Sequence, residues 1–205
     1  CKDSRNRSFL STCSLDCRCR SSVTIFGMAP SQRHSALVES VAQALSFAIS
    51  DPAGHTSWAH SQLFSPCKRH RGAEETRRAA TVFDSSAIPP IGVVKYLMRL
   101  SAGFQCSDES FIAALIVVDR LLAYDGGRLP LTMRNVHRVF LASLVVAVKY
   151  NEDLVYSNSR YAKAGGVQLR EVNRLERVIL TALDFDLRVD PEEYKLYEAA
   201  LRALA

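Results

Sequence analysis

The chain has 205 residues, 48% of them hydrophobic and 23% charged, which is enough apolar content for one substantial core plus an extension. No apolar run reaches the roughly 18 residues that a membrane-spanning helix needs, so no membrane partner is expected. The net charge of +5 is confined to residues 1–80, which hold 11 Lys and Arg against 6 Asp and Glu. Residues 81–205 hold 15 of each, and a domain without a basic face of its own is not expected to bind nucleic acid.

In chain order, residues 1–34 are rich in Ser, Arg and Cys and show no sustained period; they read as disordered. The chain begins with Cys1, while "MAPSQRHSALVES" from Met28 reads as the more natural start, so residues 1–27 read as a non-native segment or as part of a longer sequence. The opening 20 residues lack a signal-peptide pattern, and the expected location is intracellular, in nucleus, cytoplasm or both. Cys13, Cys17 and Cys19 follow a C-x3-C-x-C spacing, but no histidine comes before His34, so no metal site is expected. The apolar part holds only Cys106, which argues against disulfides.

Residues 35–49 place Leu37, Val38, Val41, Leu45, Phe47 and Ile49 near helical spacing, with Ser35 as N-cap and Asp51-Pro52 as terminator. Residues 50–80 read as a flexible loop containing Gly54, Pro66 and Gly72. From residue 81 the fold class is all-α. Pro89-Pro90 is expected to open a helix bearing Ile91, Val94, Tyr96, Leu97 and Leu100. A second helix begins after Ser107, with Asp108 and Glu109 at its positive end, and stops at Gly126-Gly127. Thr132 is expected to cap a third that runs to about Tyr150 and is apolar nearly all round, as a central core helix should be. A short helix over about 155–164 ends at Gly165-Gly166, another covers 168–183, and Asp190-Pro191 starts a C-terminal helix over 190–205.

Three charged residues lie on apolar helix stripes. Asp119 has Leu115, Ile116, Leu122 and Ala123 at helical spacing, so its carboxylate needs a partner as a structural ion pair or cap. Glu176 has no basic residue three or four positions away, unlike Glu171, which has Arg170 and Arg174 nearby. Its partner is expected on another helix or another protein, although a solvated glutamate at the stripe's edge fits the spacing equally well. Lys149 ends the apolar run Val139–Val148, where a cation complements the helix dipole and can pair with Glu152 or Asp153. Catalytic constellations are absent: there is no G-x-S-x-G, H-E-x-x-H or Walker sequence. Neither catalytic residues, cofactor nor metal are expected, and His137 reads as structural.

Taken together, "VDRLL" (118–122), "NVHR" (135–138), "AVKYNED" (147–153), "SNSRYAKAGG" (157–166), "EVNRLE" (171–176) and "LDFDL" (183–187) resemble a cyclin box. More narrowly they are similar to the P-type or U-type cyclins and the phosphate-pathway cyclins of yeast. The resemblance covers residues 81–189, with 35–49 as the family's leading helix and 190–205 as a C-terminal helix. It implies a single five-helix cyclin box with flanking N- and C-terminal helices. The implied function is that of a non-catalytic subunit that binds a cyclin-dependent protein kinase and activates it by holding its mobile helix. By position, Lys149 and Glu176 match the pair that contacts the kinase in cyclins, and Asp119 matches an aspartate that supports the box internally. A cyclin-fold adaptor without kinase activation, and a cyclin-fold transcription factor, are the alternatives.

The sequence departs from that pattern at Pro90 and at Gln168, and carries one further feature. Pro90 stands where many cell-cycle cyclins carry a docking-groove arginine, so that groove is not expected and Asp119 needs another partner, with Arg99 as the candidate. Gln168 stands where a Ser or Thr cap is common, which weakens the cap by about 1 kcal/mol. "SPCK" (65–68) resembles the pattern that cyclin-dependent kinases phosphorylate, making Ser65 a candidate phosphosite, whereas "KRHR" (68–71) is too short to count as a nuclear signal.

Overall fold

A helix without a polar face can only be stable when neighbours cover it on every side. Such a helix organises the computed structural model, which describes residues 30–50, 82–123 and 129–204. Seven helices run through these residues: α1 (Pro30–Ser50), α2 (Val93–Phe104), α3 (Asp108–Ala123), α4 (Val136–Asn151), α5 (Asn158–Gly165), α6 (Leu169–Ala182) and α7 (Pro191–Leu204). No strand occurs among the described residues. In α4 every residue from Val139 to Val148 is buried. α3 lies along one side of α4, α6 along another, and α2 and α5 pack together beside them. α1 crosses α2 and α3, and α7 closes the outside against α1 and α3.

Several helix starts differ from the sequence reading. α1 begins at Pro30, inside the stretch expected to be disordered, so Ser35 is interior and not the N-cap. Proline suits a first helical turn, where its missing N–H has no partner to lose, and the polar residues that follow it conceal the period. α2 begins at Val93, not at the prolines. Each proline biases the residue before it toward extended backbone. His137 Nε2 also bonds the Ile91 carbonyl at 2.9 Å, keeping that group outside the helix. The N-cap of α4 is Asn135, not Thr132, because Thr132 opens a preceding turn: its N–H donates to Asn135 Oδ1 at 2.8 Å. α5 starts at Asn158 and ends on Gly166 at φ 70°, and Gln168 at the start of α6 makes no side-chain cap bond. Residues 1–29, residues 51–81 with the candidate phosphosite Ser65 and nearly all of the expected loop, and the Gly126-Gly127 stop lie outside the described residues.

Histidines and small residues fix the packing angles. His34 on α1 bonds Ser101 on α2 and Asp108 on α3, so one imidazole joins three helices. His137 sits edge-on to Tyr96 at 4.7 Å, and burial holds its pKa below the ordinary value, favouring the neutral ring. α2 and α5 approach closely at Gly103, where an added Cβ would lie 2.5 Å from the Ala164 Cβ. Phe104 stacks on Tyr161 at 4.4 Å across the same seam.

Gly103→Ala therefore has to push α2 off α5 and should cost about 1–3 kcal/mol in urea unfolding. Gly92→Ala, whose Cβ would meet nothing within 4 Å, should cost less than about 1 kcal/mol. Equal unfolding midpoints for the two variants would refute the close-packed seam.

Candidate functional site

The C-terminal end of α4 is where the buried helix reaches the surface. Val148 is the last buried residue, and Lys149, Tyr150 and Asn151 are exposed. Lys149 Nζ donates to Glu176 Oε1 on α6 at 2.7 Å. The other carboxylate oxygen, Oε2, accepts from Asn158 Nδ2 at 2.8 Å, and Asn158 also donates to Asn173 Oδ1 at 2.7 Å. Four side chains thus tie α4, α5 and α6 together around one carboxylate. The lysine side chain keeps 32% of its surface exposed and the glutamate 16%, so the pair sits at the surface with its carboxylate side turned inward.

Glu152 does not serve Lys149 as the spacing allowed. Its Oε1 accepts three hydrogen bonds at the N-terminus of α3: Ser107 N–H at 2.8 Å, Ser107 Oγ at 2.6 Å and Ser110 Oγ at 2.7 Å. Burial alone would raise the Glu152 pKa, but these donors outweigh it and hold the carboxyl below its ordinary value. The positive end of α3 favours the same charge. This clip anchors the chain three residues beyond Lys149, which leaves the lysine directed to Glu176.

Large apolar side chains surround this end of the molecule in sequence. Tyr150, Leu154, Val155 and Tyr156 are all exposed, Leu154 at 84%. Phe185, in the turn after α6, is 69% exposed. That turn is unusual: Asp184 and Phe185 have φ 52° and 60°, the left-handed region that a bulky side chain rarely enters. A bond from Phe185 N–H to Leu180 O at 2.9 Å closes the helix end in this conformation.

Asp119 lies elsewhere. It faces α7, where Tyr197 OH donates to its Oδ2 at 2.7 Å. Arg99, the expected partner, instead donates to the Lys163 carbonyl, because α2 carries it to the C-terminal end of α5. Glu171 likewise pairs with Arg138 on α4, not with its helix neighbours Arg170 or Arg174. Burial pushes the Asp119 carboxyl up to about 6, the Tyr197 hydrogen bond opposes that rise, and Glu193 adds to it. Glu193 is itself paired with Arg120 at 2.7 Å. Among the described residues, no group of three or more His, Cys, Asp or Glu could hold a metal ion, and no helix is long and apolar enough to cross a membrane. Sequence reasoning missed Asn158, Glu152 and Tyr197 as partners, since each acts on a helix distant in sequence.

The family model described as Cyclin matches residues 33–187. The chain is 37% identical over 133 residues to Cyclin-U4-1 of Arabidopsis thaliana, covering 62% of this chain and 65% of the relative. It is 34% identical over 125 residues to Cyclin-P3-1 of Oryza sativa subsp. japonica, covering 61% and 52%. It is also 33% identical over 125 residues to PHO85 cyclin-7 of Saccharomyces cerevisiae, covering 56% and 44%. The chain thus spans about half to two thirds of the length of the curated relatives it matches.

A carboxyl group whose pKa is raised by folding contributes stability when protonated. That contribution is complete below the unfolded value near 4 and is lost as pH rises through about 6. Asp119→Asn should therefore be more stable than the parent at pH 7, and the gap in urea midpoint should close as pH falls from 7 to about 4. Parallel midpoint-against-pH curves for the two proteins would contradict a raised Asp119.

Proposed function

Because the chain belongs to the cyclin family, we propose that it is a non-catalytic subunit that binds a cyclin-dependent protein kinase and activates it. The observation that carries this reading is the Lys149–Glu176 pair, formed where the buried stretch of α4 reaches the surface, with the exposed Tyr150, Leu154, Val155 and Tyr156 following in sequence.

An ion pair at a helix end is by itself an ordinary structural device, worth little when solvated. Three features favour an interface here. The pair is backed by Asn158 and Asn173, so it is rigid before any partner arrives. Tyr150, Leu154, Val155 and Tyr156, which follow Lys149 around the polar Asn151-Glu152-Asp153, are exposed, and aromatic side chains of this kind anchor interfaces. Phe185 is held outward by a backbone conformation that costs free energy in the isolated chain. Strain that persists where a simple glycine would remove it is consistent with a use for the side chain.

The mechanism is conformational. A protein kinase is active when the glutamate of its mobile helix pairs with the lysine that holds ATP phosphates. A partner that binds only the inward position of that helix shifts the kinase's own equilibrium toward it and takes no part in phosphoryl transfer. A preassembled face built on the core helix suits this role, since a face that yielded would transmit no bias.

Lys149→Ala and Glu176→Ala should each lower capture of the cyclin-dependent kinase from source-cell lysate, identified by mass spectrometry, with helical circular dichroism unchanged. Capture equal to the parent would remove the pair from the interface. Phe185→Gly separates strain from binding: relief of the left-handed φ should keep or raise the melting temperature while kinase capture falls. A lower melting temperature with full capture would assign Phe185 a purely structural role.

A further inference from the structure

We propose that the outward face of α6 docks a phosphorylated segment of another protein. This helix carries Arg170, Arg174 and Arg177, at positions i, i+4 and i+7, the spacing that sets side chains along one line of a helix. All three are exposed. Among the described residues none of them belongs to an ion pair or makes a side-chain hydrogen bond. By contrast, Arg99, Arg120, Arg134, Arg138 and Arg160 each bond an oxygen elsewhere in the fold.

The packing sorts the charges of this helix. Val172, Leu175 and Ile179 are buried against the core. The two acids of α6, Glu171 and Glu176, lie on either flank of that buried line. Glu171 pairs with Arg138 and Glu176 with Lys149, both on α4. A helix with three cations and two anions thus presents only cations outward.

The uniform sign has a local cost. Like charges three and four positions apart repel. Arg170 is the second residue of α6, at the positive end of the helix dipole, where a cation is unfavourable. Glu171, the acid spaced to offset Arg174, is turned to Arg138. A face that only meets water has no need of one sign, and mixed charges would form it without repulsion.

The chemistry of the face specifies the occupant. The exposed residues from 170 to 177 are the three arginines and Asn173, so no apolar anchor is offered and charge with hydrogen bonds must hold the partner. A guanidinium fork matches phosphate oxygens in pairs, and each carries five N–H donors. Arg170 and Arg174 are offset by about 6 Å along the axis, close enough for two forks to close on one phosphate, and Arg177 stands about 4.5 Å further on. An extended chain advances about 7 Å in two residues, so a phosphoserine with a second anionic group two positions away follows the line. Nucleic acid fits less well: residues 81–205 carry no net charge, and three cations neutralise few phosphates. A membrane surface also fits less well, since surface-bound helices set an apolar face beside their cations, and the apolar side of α6 lies in the core. The stripe is independent of the kinase-binding reading, as none of the three arginines contributes to the cluster of Lys149, Glu176 and Asn158.

The test is fluorescence polarisation with the full chain and three labelled probes: a peptide with two phosphoserines separated by one residue, its unphosphorylated form, and a single-stranded DNA of the same charge as the first. Residues 1–80 hold the chain's excess positive charge and attract any polyanion, so the variants decide. Arg170→Ala/Arg174→Ala should weaken the phosphopeptide about tenfold or more. Arg174→Lys should lose part of that, because an ammonium does not grip two oxygens at once. Neither variant should lower the melting temperature, since these side chains make no internal bond. Affinity unchanged in the double variant, no phosphopeptide binding at about 1 mM, equal binding of the unphosphorylated peptide, or a DNA that binds more tightly and loses as much in the double variant would overturn the proposal. Kinase capture lost by the double variant with phosphopeptide affinity intact would also overturn it and give the stripe to the kinase.

Discussion

The structure depends on α4 having no polar side. A helix buried from Val139 to Val148 must be surrounded, and α2, α3, α5 and α6 owe their arrangement to that requirement. It also decides where a functional surface can form. Along its length α4 meets only the core, so its single opportunity to contact a partner is its end. The Glu152 clip on α3 fixes that end by joining the carboxylate at the close of one helix to the N–H and hydroxyl donors at the start of another.

Two kinds of charged residue result. Those inside the shell are structural: Asp119 with Tyr197, Arg138 with Glu171, and Arg120 with Glu193 stitch helices together from partly shielded positions. Lys149 and Glu176, at the shell's edge, pair with each other while the lysine stays partly exposed to solvent. Burial separates the two kinds. A buried charge must be satisfied internally, while an exposed one can be held in place by a carbonyl or a helix end and still accept a ligand.

Much of this was legible in the sequence, and the limits have physical causes. Unbroken apolar runs bounded by start and stop residues located α3 and α4, and Asp190-Pro191 marked the start of α7, because burial demands apolar side chains and proline suits a first helical turn. For Glu176 the spacing left a partner on another helix and a solvated position equally open, and its pairing with Lys149 was what the family resemblance implied. The start of α1 was not legible, because a polar first turn has no period to read. Nor were the partners of Asp119, Glu152 and Glu171, since each depends on which helix ends meet in space. Arg99 was the natural candidate for Asp119 by charge, yet a tyrosine 78 positions away supplies the bond. Spacing along a helix identifies which groups need partners, and only the packing decides which groups supply them.

The Gly103–Ala164 contact has a consequence for how such a chain can vary. The seam between α2 and α5 has room for a single methyl group at this point. The two positions therefore form one volume shared between two codons. Glycine and alanine can exchange places across the seam, but neither site can grow alone. Descendants of this sequence that keep the close α2–α5 contact should change these positions together or leave both as they are.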